Sequence, residues 1–125
     1  MEMNMQVAMD VEVLDDREEA RELEAALLVR AALALKECQD EWGAEGHEAR
    51  LDEALKFNQR LWTVFQTELS SADNPLPEDV KRNLLNLSCF VDKRTYETMA
   101  NPQAGSLSVL IDINRHIAEG LAGQA

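Results

Sequence analysis

The sequence predicts an all-α protein: a compact bundle of four main amphipathic helices with a flexible N-terminal arm. Leucine and alanine are abundant, whereas aromatic residues make up only 5% of the 125 residues, and this composition favours helices over a sheet. In four segments, apolar residues recur at alternating steps of three and four, which is the spacing of one helix face. Because the intervening loops are short, an antiparallel bundle is the simplest architecture. The predicted helices span residues 15–41, 47–69, 77–99 and 106–121.

The predicted arm covers residues 1–14 and contains no helix start signal. Met1, Met5 and Met9 would share one face if the segment became helical, and methionine side chains make adaptable contact surfaces. Two interpretations stay open: an unstructured terminus, or an arm that becomes ordered against a partner or a neighbouring subunit. Residues 15–125 are predicted to form a single helical domain.

The first helix is predicted to begin at Asp15-Asp16, whose side chains can cap it, and to end near Gly43. Its inner stripe is predicted to comprise Leu23, Leu27, Ala31, Ala34 and Cys38. Leu28, Leu35 and further apolar residues widen this stripe around the helix. Such a helix either is central in the bundle or presents one face to a partner.

The second helix carries a regular stripe with an amide in its middle. The stripe comprises Leu51, Leu55, Asn58, Trp62, Phe65 and Leu69. A buried amide must find hydrogen-bond partners, because leaving it unsatisfied costs roughly 1–3 kcal/mol. Phe57, Leu61 and Val64 lie off this stripe and predict a second apolar face, which either makes the helix central or meets a partner.

The third and fourth helices have weaker boundaries. Pro77 is predicted to be the first residue of the third helix, and Ser106 to cap the fourth, whose end is weakened by Gly120. The third stripe comprises Val80, Leu84, Leu87, Val91 and Thr95, with Phe90 beside it. The fourth comprises Leu107, Leu110, Ile111, Asn114, Ile117, Ala118 and Leu121.

Two asparagines, Asn58 and Asn114, therefore occupy equivalent positions on two apolar stripes. We expect them to bond to each other or to backbone groups, and in that way to fix the register of the helices. Direct contact with a partner is the alternative. Trp62 is expected in the core.

Charge and residue types limit the function classes. The net charge is −12, and residues 1–53 carry 16 acids and 5 bases, against 8 acids and 7 bases in residues 54–125. Acidic surfaces repel phosphates and anionic lipids, so we expect no direct nucleic-acid or membrane contact. A basic or mixed-charge protein partner would suit the charge, although acids also simply maintain solubility.

Nothing in the sequence predicts a catalytic, cofactor or metal site. The two histidines, His47 and His116, lie far apart, and no phosphate loop, nucleophile elbow or CxxC pair occurs. Cys38 and Cys89 lie in apolar helical runs and are predicted to be reduced core residues. No signal peptide or spanning segment is evident, so we expect a soluble cytoplasmic protein.

Several motifs occur in an order that is typical of one family. They are ARELEAALLVRAALAL (20–35), ALKFNQRLW (54–62), Leu76-Pro77, NLSCFVDKRT (86–95) and LIDINRHIAEGL (110–121). The combination resembles the FlaF family of flagellar biosynthesis regulators over residues 17–122. In one departure, Ala20 replaces the proline that such families usually have before the Arg21-Glu22 pair.

The resemblance implies a role in flagellin production and export. FlaF-like proteins are thought to bind unassembled flagellin in the cytoplasm as secretion chaperones and to oppose FlbT, a repressor of flagellin translation. The family has no catalytic residues. Its motif residues in this sequence, which we expect to be mostly fold determinants, are Asn58, Leu61, Trp62, Leu76, Pro77, Phe90, Val91, Thr95, Ile113, Asn114 and Gly120.

A partner surface follows as a hypothesis. An amphipathic helical terminus of flagellin would lie in an apolar groove, with anchors at helical spacing. The candidate residues combine the wide apolar face of the first helix with the second face of the second helix: Leu28, Leu35, Phe57, Leu61 and Val64. The alternative is a regulatory adaptor that acts through FlbT or the export apparatus. Whether the protein forms a homo-oligomer is left open.

Overall fold

A computed structural model describes the backbone of residues 2–123 and the side chains of residues 18–123. It confirms the all-α bundle, and no strand occurs in the described backbone. The helices are α1 (Glu2–Asp40), α2 (His47–Ser70), α3 (Glu78–Ala100) and α4 (Leu107–Ala122), with a 3₁₀ turn at Ala104–Ser106.

Helix α1 begins at Glu2, earlier than the start at Asp15-Asp16 that the capping signal suggested. A helix that is already formed extends at one hydrogen bond per residue, so a segment without its own start signal can still be helical. Met1, and the side chains of Met5 and Met9, lie outside the described residues. The ordering of the arm against a partner stays a prediction.

The reversal between α1 and α2 depends on two glycines in the left-handed region. Gly43 has φ 83° and Gly46 has φ 78°, a conformation that side chains with a Cβ rarely adopt. The ring of Trp42 packs edge-on against His47, with ring centroids 4.1 Å apart. Arg50 Nη1 donates to the carbonyl of Glu45 at 2.7 Å. These contacts direct α2 back along α1.

The helices differ in how many neighbours they have. Helix α1 packs most extensively against α4 and also against α2, while α2 packs against both α1 and α3. Helix α3 makes only slight contact with α4. Gln39 joins the end of α1 to the start of α4, because its Nε2 donates to Ala104 O and to Ser108 Oγ, each at 2.9 Å. Helices α1 and α2 are therefore central, and α3 is peripheral.

The inner face of α1 is rotated from the predicted one. Leu23 is 61% exposed, whereas Leu28 and Leu35 are fully buried. The buried apolar residues of α1 are Ala25, Leu28, Ala31, Ala32, Leu35 and Cys38. Since α1 has two neighbours and is apolar on most sides, its periodicity alone did not show which face is buried.

The same burial corrects the predicted partner surface. Leu28 and Leu35 of α1 lie in the core, and Leu61 of α2 is buried beside them. None of the three is accessible to a partner. Of the five predicted residues, only Phe57, which is half-buried, and Val64, which is exposed, reach the surface.

Helices α2 and α4 bury most of their predicted stripes, including both asparagines and Trp62. Helix α3 differs, because only Val91 and Thr95 of its stripe are buried, and Phe90 and Val80 are exposed. Its buried face is mostly small and hydroxylated. The hydroxyls of Ser88 and Thr95 donate to carbonyls of the preceding turn at 2.7 Å, which satisfies these polar groups without a partner helix.

Three local predictions need correction. Cys38 is buried, but Cys89 is exposed, because α3 turns that side away from α2 and α4. Pro77 precedes α3 as its N-cap residue and is not the first helical residue. Ser106 lies in the 3₁₀ turn and makes no side-chain capping bond, so the turn itself leads into α4.

Candidate partner-binding surface

The motif asparagines form a polar centre inside the bundle. Asn114 Nδ2 donates to Asn58 Oδ1 at 2.7 Å and to the backbone oxygen of Leu28 at 3.4 Å. The indole Nε1 of Trp62 donates to Asn114 Oδ1 at 2.9 Å. One side chain of α4 therefore bonds to both α1 and α2, which is the amide pairing that the equivalent stripes suggested.

One donor of this centre has no partner in the described part of the chain. Asn58 Nδ2 is buried without a hydrogen bond, while Asn58 Oδ1 accepts from Asn114. Such a donor costs about 1–3 kcal/mol of stability. An asparagine retained at this cost is better explained by the specificity of helix pairing than by stability. The centre is buried, so it positions the helices and leaves recognition to the surface.

The accessible part of the predicted partner surface lies between α1 and α2, and we call it the α1/α2 groove. Phe57 lines its cavity. Helix spacing extends the groove along both helices, because exposed Val64 follows Phe57 by seven residues on α2, and exposed Leu23 precedes Arg30 by seven residues on α1. Sequence reasoning missed Leu23 because it was placed on the inner stripe. Its position one turn before Leu27, at the edge of a wide apolar sector, was the available signal.

The part of the groove nearer to the α1–α2 loop is a shallow cavity of about 400 Å³. Ala34 and Phe57 line its apolar floor. Three arginines and two glutamates line the same cavity: Arg30, Arg50, Arg60, Glu37 and Glu53. The guanidinium carbon of Arg30 lies 5.2 Å from the centroid of the Phe57 ring, within the range of a cation–π contact.

The end of the groove farther from the α1–α2 loop holds two carboxyl groups. Burial raises the pKa of Glu24 to about 7, and the charge of Glu68 and a hydrogen bond with it raise the pKa further against the opposing charge of Arg21. Glu24 and Glu68 therefore face each other across α1 and α2. Near neutral pH, Glu24 is therefore protonated for a large fraction of the time.

The Cys38 thiol, which lines the groove, shows no sign of activation. Burial raises the pKa of the Cys38 thiol, which favours the less reactive protonated form.

Across residues 18–123, no three His, Cys, Asp or Glu side chains are grouped so that they could hold a metal ion. None of the helices described between residues 2 and 123 combines the length and apolar character needed to cross a membrane.

Three further large apolar side chains are exposed on α3. Val80, Phe90 and Tyr96 are exposed there, and Arg94 lies with its guanidinium carbon 5.8 Å from the Phe90 ring centroid. Because α3 packs mainly on α2, the other sides of this helix remain open in the described part of the molecule. The three side chains do not share one side of the helix, because Val80 lies in line with buried Val91, and Phe90 and Tyr96 lie on the two flanks. We call these exposed parts of α3 together the α3 face.

Comparison with known proteins agrees with the motifs. A family model described as flagellar protein FlaF matches residues 11–121, so the match begins a few residues before the resemblance seen in the motifs. Searches of curated proteins and of solved structures found no significant match. The matched segment contains all four helical stripes, both core asparagines and the α1/α2 groove. The chain therefore belongs to the FlaF family of flagellar proteins.

Proposed function

We propose that this protein binds unassembled flagellin in the cytoplasm as a secretion chaperone and thereby promotes flagellin synthesis and export. It acts as a binding protein and not as an enzyme. Membership of a flagellar family supports the process. The observation that carries the binding step is the α1/α2 groove, where Leu23, Phe57 and Val64 leave apolar surface exposed beside a charged rim.

The groove suits an amphipathic helix, which is the form of flagellin's terminal segments. Phe57 and Val64 are seven residues apart on α2, which places them about 10 Å apart along the helix axis. A helix lying along α2 presents apolar side chains at the same interval, at its positions i and i+7. Covering Leu23 and Val64 would remove apolar area from water, at roughly 1.5–3 kcal/mol for each fully buried side chain.

The test compares the same substitution at two exposed valines. Val64→Asp places a charge in the α1/α2 groove, whereas Val80→Asp places it on the α3 face. We expect Val64→Asp to weaken the binding of monomeric flagellin about tenfold or more, because each 1.4 kcal/mol lost is a factor of ten. Val80→Asp should leave the affinity unchanged. The measurement is isothermal titration calorimetry with purified flagellin.

Far-UV circular dichroism of both variants controls for folding, and both should retain wild-type helix content because both positions are exposed. The proposal is wrong if the wild-type protein shows no heat of binding and no shift in size-exclusion chromatography with flagellin. Equal losses in the two valine variants would place the binding surface elsewhere.

A second candidate function is a regulatory adaptor that acts through FlbT or the export apparatus. The α3 face favours it, because exposed Val80, Phe90 and Tyr96 offer apolar surface separate from the α1/α2 groove. Pull-downs with flagellin and with FlbT, using the same two valine variants, separate the functions. An adaptor would bind FlbT and would lose that binding in Val80→Asp but not in Val64→Asp.

A further inference from the structure

The lining of the α1/α2 groove differs in charge from the acidic N-terminal part of the chain. The first 53 residues carry 16 acids against 5 bases, and the whole chain has a net charge of −12. Yet three arginines and only two glutamates line the cavity. The cavity lining is therefore not acidic, in contrast with the chain as a whole.

The three arginines are not equivalent. Arg50 is engaged within the protein, because it donates to Glu45 O at 2.7 Å and lies 3.9 Å from Glu41 Oε2. Arg30 and Arg60 are exposed and form no salt bridge with any carboxylate among residues 18–123. Lys36 and Lys56, on the same two helices, do form such pairs, with Asp40 and Asp52, each at 2.9 Å.

The two arginines stand on opposite walls of the cavity. Arg30 projects from α1 and lies over the Phe57 ring at 5.2 Å, and Arg60 follows Phe57 by one turn on α2. The cavity thus combines apolar surface with two guanidinium groups, one from each helix. The complementary segment is a helix that presents an apolar anchor residue with carboxylates beside it.

We propose that the α1/α2 groove selects an acidic amphipathic helix of its partner, with Arg30 and Arg60 each binding a carboxylate that flanks an apolar anchor seated on Phe57. This inference rests on the proposed function and specifies the partner segment. Bidentate Arg–carboxylate pairs beside an apolar contact add orientation as well as attraction. The excess of acids elsewhere on the protein then repels acidic segments that lack an apolar anchor for the groove.

The experiment measures flagellin binding to two full-length double variants. Arg30→Glu with Arg60→Glu reverses the charge of the groove. Arg82→Glu with Arg115→Glu makes the same change in net charge at two exposed sites on α3 and α4. We expect the groove variant to lose about tenfold or more in affinity, with a smaller dependence on salt, and the control to change less than about threefold.

Folding is checked by circular dichroism and thermal unfolding, which should match the wild type in both variants. A groove variant that binds as well as the wild type, or no more weakly than the control, overturns the inference. If Val64→Asp loses flagellin binding while the arginine variant keeps it, the chaperone function is supported and the proposed role of the two arginines is wrong. If the wild type does not bind flagellin, both fall.

A last arm tests phosphate as the ligand of the two arginines, with a single-stranded oligouridylate as the probe. We expect no binding to the wild-type protein, because its net charge repels a polyanion. Binding that is lost in the groove variant would assign the arginines to nucleic acid and would overturn the inference.

Discussion

At the scale of single residues, the position of Asn114 has the largest consequences. It lies on α4, donates to α1 and α2, and accepts from Trp62, so one amide joins three helices. The sequence showed that two asparagines share equivalent stripes. It did not show that Trp62 completes the centre or that Asn58 Nδ2 has no partner in the described chain, because those contacts depend on how the helices meet.

Replacing Asn114 should therefore destabilise the whole bundle. Asn114→Ala removes two donated bonds and leaves the buried Trp62 N–H without its acceptor, so we expect a loss of about 2–4 kcal/mol in the free energy of unfolding. Asn83→Ala, at an exposed site on α3, is the matched control and should change stability by less than about 0.5 kcal/mol. Urea denaturation followed by circular dichroism measures both. A loss below about 1 kcal/mol for Asn114→Ala would contradict the role assigned to the centre.

Glu24 should make stability depend on pH. Its pKa is raised from 4.5 to about 7, first by burial and then by Glu68, so between these values the folded state holds a proton that the unfolded state has lost. The free energy of unfolding therefore falls as pH rises from about 4.5 to about 7. Glu24→Gln removes this dependence and should be more stable than the wild type at pH 8.

The measurement is the urea midpoint of wild type and Glu24→Gln at pH 5 and pH 8. Glu22→Gln, at an exposed position of the same helix, is the control for removing an acid from α1. An equal gain from both substitutions at pH 8 would point to general charge repulsion and not to the Glu24–Glu68 pair.

At the scale of elements, the prediction succeeded where a helix has one well-defined apolar stripe. Helices α2 and α4 bury most of the residues that their spacing indicated. In α1, an apolar sector around most of the helix gave the pattern no unique inner side. In α3, a clear stripe is only partly used, because the helix packs on α2 with little support from α4.

This peripheral packing predicts that α3 opens before the rest of the bundle. Val91 is the only fully buried apolar side chain among its described residues, whereas α4 buries Leu107, Leu110 and Ile111. Local opening costs least where few apolar contacts are lost. In native-state hydrogen exchange, amides in the centre of α3 should exchange faster than those in α4, with α2 as internal reference. Equal protection of α3 and α4 would contradict this.

At the scale of the whole molecule, the residues that hold the bundle together are distinct from the surfaces that we propose for partner binding. The asparagine centre and the buried leucines of α1, Leu28 and Leu35, hold the helices together. The α1/α2 groove and the α3 face remain exposed in the described part of the chain. The chain has a net charge of −12, yet its α1/α2 groove contains two arginines, Arg30 and Arg60, that form no salt bridge among the described residues. Charge would then determine which helices dock, while apolar contact supplies much of the affinity.

The sequence by itself determined the helical class, three of the four helix starts to within a residue, the two core asparagines and the family. Helix periodicity and turn residues are local signals, so they can be read without a structure. Only the tertiary structure decided that Leu28, Leu35 and Leu61 are core, and that Leu23 and Cys89 are exposed. Periodicity shows which residues share a face, but the burial of that face depends on a neighbour that is distant in the chain.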